Sequence, residues 1–258
     1  MKLKIYRVPA SHPCQAVIRA AELKGIEHKV VYLPPPAHVI TATLLFGSRT
    51  VPAMKIYGGP NGTEKVQTSL KCLRAIESLV PDPPLYPSQA AARERVVAAE
   101  AWGVGEFQDL ARRIIWVALK ASPAAMLSFD STLPIPDAVA RPSAPGIIWA
   151  ERKINGATDD QVRGDLELLP QYLDEIDEFI AAGTIGNEQP NAADLTVLSS
   201  LWLLRSSEDL RPLIDSRPAG RKTIEVFGEA PGSVPAGSLP AAWLTAVNAA
   251  HGAAAAPA

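Results

Sequence analysis

The chain has 258 residues, 47% of them hydrophobic, and a formal charge of −2. That is enough apolar material for one or two packed domains; it argues against global disorder and supplies no basic surface to draw in nucleic acid or an anionic membrane. Two cysteines, Cys14 and Cys72, are too few for a disulfide framework or a zinc site, and no apolar run reaches the roughly 18 residues of a membrane span. Met1 to Ile5 enters a strand pattern without a signal-peptide core, so a cytoplasmic protein with no metal is expected.

Leu3 to Val8 alternates as a strand. Ser11-His12-Pro13-Cys14 then opens a helix, because Pro13 gives up an N–H that has no partner in a first turn, and Gly25 stops it. His28 to Leu33 and Ala53 to Tyr57 read as strands, with Pro34-Pro35-Pro36 and one short helix around Ile40 to Leu45 between them. Gly58 to Gly62 is a turn, and Thr63 to Val66 returns as an antiparallel edge strand before a helix over Thr68 to Leu79. A β-α-β half followed by a hairpin and a helix is the thioredoxin-like arrangement, here over residues 1–81. The proline-rich stretch that follows cannot continue a helix and serves as a linker at 82–88.

From 89 to 258 every strong pattern is helical, which predicts an all-helical second domain. Ala90 to Ala121 reads as one long, bent helix. Ser122 to Pro145 carries five prolines and reads as a long loop, 122–145, over the cleft between the domains. Val162, Leu166, Leu169, Leu173, Ile176 and Ile180 recur at spacings of four and three, one buried helix face, with a kink or break expected at Pro170. Asn191 to Leu204 is continuously apolar and predicts a buried central helix, capped by Asn191 with Asp194 three residues on. The small-residue tail from Ala249 is expected to fray.

The chemistry concentrates at Ser11 to Cys14. Unpaired N–H groups and the helix dipole favour an anion such as a thiolate at that point. Ser11 is either a hydroxyl that handles a thiol or a helix cap. Cys14 is either a small apolar core side chain or a thiolate that forms a mixed disulfide; without a partner cysteine three residues away, a dithiol exchange cycle cannot run. His12 can tune a nearby thiolate by titrating near neutrality. Trp116, beside Arg112 and Arg113, is the aromatic residue placed closest to a second substrate.

Four blocks in order resemble the glutathione S-transferase superfamily. They are Cys14-Gln15-Ala16-Val17 with Glu22-Leu23-Lys24-Gly25-Ile26; Thr50-Val51-Pro52-Ala53-Met54; Thr68-Ser69 entering a helix; and Pro190-Asn191-Ala192-Ala193-Asp194. The resemblance implies a thioredoxin-like α/β domain followed by an all-helical one. It also implies a Ser11 hydroxyl bonded to the sulfur of bound glutathione. A cis Val51-Pro52 bond would present backbone groups to the cysteinyl unit, while Thr68 and Ser69 would hold the γ-glutamyl carboxylate. The activity implied is thiolate attack on an electrophilic small molecule, as in detoxification, by a homodimer built on the helices at Thr68 to Leu79 and Ala90 to Ala121. His12-Pro13 departs from the family's order, and Thr68 replaces an acidic or amide residue, so the co-substrate is glutathione or another low-molecular-weight thiol. Two alternatives stand beside this: a non-catalytic binding or regulatory protein on the same fold, and a thiol oxidoreductase acting through Cys14.

Overall fold

The computed structural model describes residues 1–34, 38–129 and 136–255. Its N-terminal part is a four-stranded mixed sheet in the order β2-β1-β3-β4, built from β1 (Lys2–Arg7), β2 (His28–Tyr32), β3 (Ala53–Gly59) and β4 (Gly62–Gln67). β1 and β2 run parallel, joined through α1 (His12–Leu23), whereas β3 is antiparallel to both β1 and β4. The period-2 alternation of β1 sends Leu3 and Ile5 into the main core with Val17 of α1 and with Leu73 and Ile76 of α3 (Ser69–Leu79). Tyr6 faces the other way, where Leu33, Ala53 and the edge of the Phe46 ring in α2 (His38–Phe46) cover it.

The remainder is helical. α4 (Ala90–Trp102) passes through a π-helical turn, Gly103–Phe107, into α5 (Gln108–Ala121), so the long bent helix expected from the pattern is present. Gly103 is required there because a Cβ would lie 2.7 Å from the Val197 side chain. α8 (Ala192–Leu204) is buried along its whole length. Asn191 caps it by accepting the Ala193 and Asp194 N–H groups, and Asp194 returns a bond to the Asn191 N–H at 2.8 Å. One apolar core runs from Leu3 and Ile5 through Leu110 and Ile114 to Leu166, Leu169 and Leu201.

Two expectations change, and of the kink or break expected at Pro170 the break is absent. The loop expected over 122–145 is a short 3₁₀ segment, Pro123–Ser128, followed beyond the undescribed 130–135 by α6 (Asp137–Ile154), with Pro142 and Pro145 inside the helix. Both prolines lie on its exposed side, where a missing N–H costs least, and Ala144 and Ile148 anchor the opposite side. α7 (Asp159–Ala181) continues through Pro170 without a break. Burial of Leu166, Leu169, Leu173 and Ile176, worth about 1.5–3 kcal/mol per side chain, outweighs one missing hydrogen bond. As far as Ala255 the tail is helix, α11 (Thr245–Ala255), and 256–258 lie outside the described residues: alanine favours helix, and buried Leu244 and Val247 dock it where it meets α7 and α9 (Arg211–Asp215). α10 (Pro218–Phe227) completes the bundle. After Ser88 the described residues contain no sheet, only an isolated bridge between Ser207 and Val234. Among them, no helix is long and apolar enough to cross a membrane.

Candidate functional site

β1 ends at Arg7, and Val8-Pro9-Ala10 carries the chain to α1. Ala10 adopts a left-handed backbone (φ 56°), and the Ser11 N–H bonds to the Val8 carbonyl at 3.3 Å, fixing Ser11 at the helix N-cap. The Ser11 hydroxyl does not cap the helix. It donates to Cys14 Sγ at 3.0 Å, and the Cys14 thiol is directed at the Tyr6 carbonyl, 3.9 Å away. Cys14 has no exposed surface. Burial pushes its thiol up to about 11, against the opposing pull of the Ser11 bond and of the Arg7 and Arg112 charges, so it is a neutral core thiol near pH 7. Cys72 is likewise buried, and its thiol is pushed up for the same reason.

His12 is buried between the two halves of the molecule. Its ring lies against the backbone of Gln108 in α5, its Nε2 has no partner, and burial followed by the Arg112 charge holds it well below the usual histidine range. The expected role as a group titrating near neutrality therefore gives way to a neutral contact across the cleft.

The sheet register brings the other expected residues to the same edge. Tyr6 pairs with Ala53, and Ala53 with Gln67, so Val51-Pro52 and Thr68-Ser69 lie beside the end of β1. The Val51-Pro52 bond is cis, and the Pro52 carbonyl accepts the Thr68 N–H at 3.1 Å. Gln67 Nε2 ties the preceding loop down by donating to the Ser48 and Thr50 carbonyls at 2.8 and 2.7 Å. Thr68 caps α3 from a left-handed backbone (φ 79°) with a long 3.5 Å bond from the Lys71 N–H, and Ser69 is the buried first residue of the helix. No acidic side chain lies in the first turn of α3.

α5 and α6 close the opposite side. Arg112 stands one turn after Gln108 on the same helix face, and its charge acts on both His12 and Cys14. Its Nη1 donates to Asp109 Oδ1 at 3.2 Å and Asn155 Oδ1 at 3.3 Å, while Asn155 Nδ2 donates to Glu151 Oε2 at 3.1 Å. Glu151 also ends a hollow of about 370 Å³ along α6 lined by Pro142, Ser143, Gly146, Ile147 and Ala150. Arg113 points elsewhere, into a bidentate pair with buried Asp165 at 2.7 and 2.8 Å, and Trp116 packs against the core. Of the two arginines beside Trp116, Arg112 is the one whose charge reaches the α1 start.

Three contributors were not singled out from sequence. Arg7 occupies the third inward position of β1 after Leu3 and Ile5, and a charge in that place was the available signal. Glu151 and Asn155 gave none, because their meeting with Arg112 exists only once α5 and α6 pack.

No protein-family model and no curated protein matches the sequence. Solved structures do match the fold. A glutathione S-transferase from Rhodospirillum rubrum F11 is 17% identical over 86% of this chain and 91% of its own, with a TM-score of 0.59. The β-etherase LigF from Sphingobium sp. strain SYK-6 is 16% identical over 87% and 99%, with a TM-score of 0.55. FzlA from C. crescentus is 15% identical over 95% and 99%, with a TM-score of 0.52. The chain thus has the two-part fold of glutathione S-transferases, a thioredoxin-like α/β part followed by helices.

Proposed function

We propose that the chain is a member of the glutathione S-transferase superfamily that binds glutathione, or a similar low-molecular-weight thiol, and directs its thiolate at an electrophilic small molecule. The thiol lies along the Val51-Pro52 and Thr68-Ser69 edge, and the electrophile enters from the side of α5 and α6. The observation that carries this reading is the Ser11 hydroxyl, which sits at a helix N-terminus without capping it and spends its hydrogen on a neutral sulfur 3.0 Å away. A thiol is a weak acceptor; an incoming thiolate is a strong one, so the hydroxyl turns to it and stabilises the charge. The thiolate then forms a C–S bond to the electrophilic carbon as the leaving group departs with the bonding pair. The chain acts on small molecules and pairs with a second copy through α3 and the α4–α5 helix, which light scattering tests.

Glutathione transfer to chlorodinitrobenzene tests the catalytic assignment. Loss of one hydrogen bond to a charged sulfur costs about 1.5–3 kcal/mol, so Ser11→Ala slows turnover roughly ten- to hundredfold with unchanged melting. Cys14→Ser has a small effect, since the thiol is buried and protonated. A large loss confined to Cys14→Ser supports the oxidoreductase alternative instead. The absence of an acid in the first turn of α3 favours a second reading, a binding protein that holds the γ-glutamyl ammonium weakly. That reading prevails if no thiol transfer is seen, and retention on immobilised glutathione then measures the binding.

A further inference from the structure

Positive charge stands at the mouth of α1 with little to answer it. Arg7 is 4% exposed, and its partners are neutral: Gln15 Oε1 at 3.1 Å, the Val8 carbonyl at 3.3 Å and the face of the Tyr32 ring. Its Nη2 has none. A buried guanidinium without a counter-charge is costly, and an anion nearby offsets the cost. Arg112 of α5 is near enough for its charge to act on both His12 and Cys14 at the same helix start. Its Nη1 touches Asp109, an exposed carboxylate on its own helix, and the neutral Asn155. Arg74, Arg113 and Arg205, by contrast, are each clamped by two carboxylate oxygens. Glu151 is the other acid near Arg112, and it is also occupied by Asn155.

Resting on the reading that the thiol lies along the cis-proline edge, the second substrate must lie against α5. We propose that Arg112 is a specificity-determining residue that takes a carboxylate of that substrate, so that an activated organic acid is preferred over its neutral counterpart. The planar guanidinium matches a carboxylate in two parallel bonds, which orients the acid as well as holding it. Arg7 acts from behind as a fixed field, while His12, buried and neutral, keeps Arg112 at the α1 start through the Gln108 contact one turn earlier.

The test is calorimetric binding, with no thiol present, of para-nitrobenzoate and para-nitrobenzamide to the full chain and to Arg112→Met and Arg112→Lys. The natural chain should prefer the carboxylate by about tenfold or more. Arg112→Met should remove the preference, while Arg112→Lys should keep part of it. Circular dichroism checks folding; if the Met variant unfolds, the Lys variant decides, since an unchanged preference there overturns the proposal. Equal binding of the two ligands to the natural chain, no benzoate binding at millimolar concentration, or a preference that survives Arg112→Met also overturns it. Because no thiol enters, the outcome is independent of whether thiol transfer is found.

Discussion

His12 is a polar side chain whose solvent has been replaced by protein, and its titration reports that exchange. The ring stays neutral in the folded chain well below the pH at which an unfolded histidine, with a pKa of about 6.5, takes up a proton. Below that value the unfolded state binds more protons, so stability present at higher pH is lost as pH falls through about 6.5. Denaturant melts of the natural chain and His12→Gln between pH 7 and pH 5 measure this: the variant should lose the part of the slope that belongs to the histidine. Parallel curves would mean that His12 reaches water. Ser11 belongs to the same scale. Its geometry matters more than its type, since a serine at an N-cap ordinarily bonds the backbone and this one bonds sulfur.

α8 is the element on which the helical part is assembled, and its start depends on one carboxylate. Asp194 accepts the N–H groups of Asn191 and Gly186 at 2.8 and 2.6 Å, yet burial outweighs both bonds and pushes it up to about 6. An acid raised in the folded state binds its proton more tightly there, so its contribution to stability is present below about pH 4 and falls as pH rises to about 6. Asp194→Ala leaves two N–H groups without their acceptor and should cost about 2–4 kcal/mol. Asp194→Asn, which cannot ionise, should show a flatter stability curve than the natural chain over the same window. A steeper curve would place the carboxylate in a better solvated site than the structure gives it.

The sheet and the helices form one molecule through a buried ionic joint. Glu100 of α4 receives a bidentate pair from Arg74 of α3, at 3.3 and 2.7 Å, and the Tyr86 hydroxyl at 2.6 Å, while the Arg74 guanidinium stacks 3.9 Å above the Tyr86 ring. The Glu100 side chain is 1% exposed and that of Arg74 is 42% exposed, so the two are not equivalent. Arg74→Ala strands a buried carboxylate and should cost about 3 kcal/mol or more; Glu100→Gln leaves a guanidinium that water can reach and should cost less. Thermal melts of both variants check the order, and the reverse order would show that burial of the acid is not what makes the joint costly to break.

Local rules made the elements legible. Alternation in β1 and β3, the Pro13 and Gly25 boundaries, the four-three spacing of α7 and the Asn191-Asp194 cap each depend on neighbours a few residues away, and each appears where the sequence put it. Pro142 and Pro145 misled, and Pro170 does not break its helix, because a proline's local cost is decided by what the rest of its helix buries or exposes. For the site, the sequence by itself determined that Ser11, the Val51-Pro52 turn and Thr68-Ser69 sit at the ends of elements. That they share an edge follows from strand register, a long-range pairing. The burial of Cys14 and His12, the bond from Ser11 to sulfur, and the choice of Arg112 over Arg113 were settled only by packing α1 and α5 on α8. Solvation and field at one side chain depend on every element around it, and no stretch of neighbouring residues carries that information.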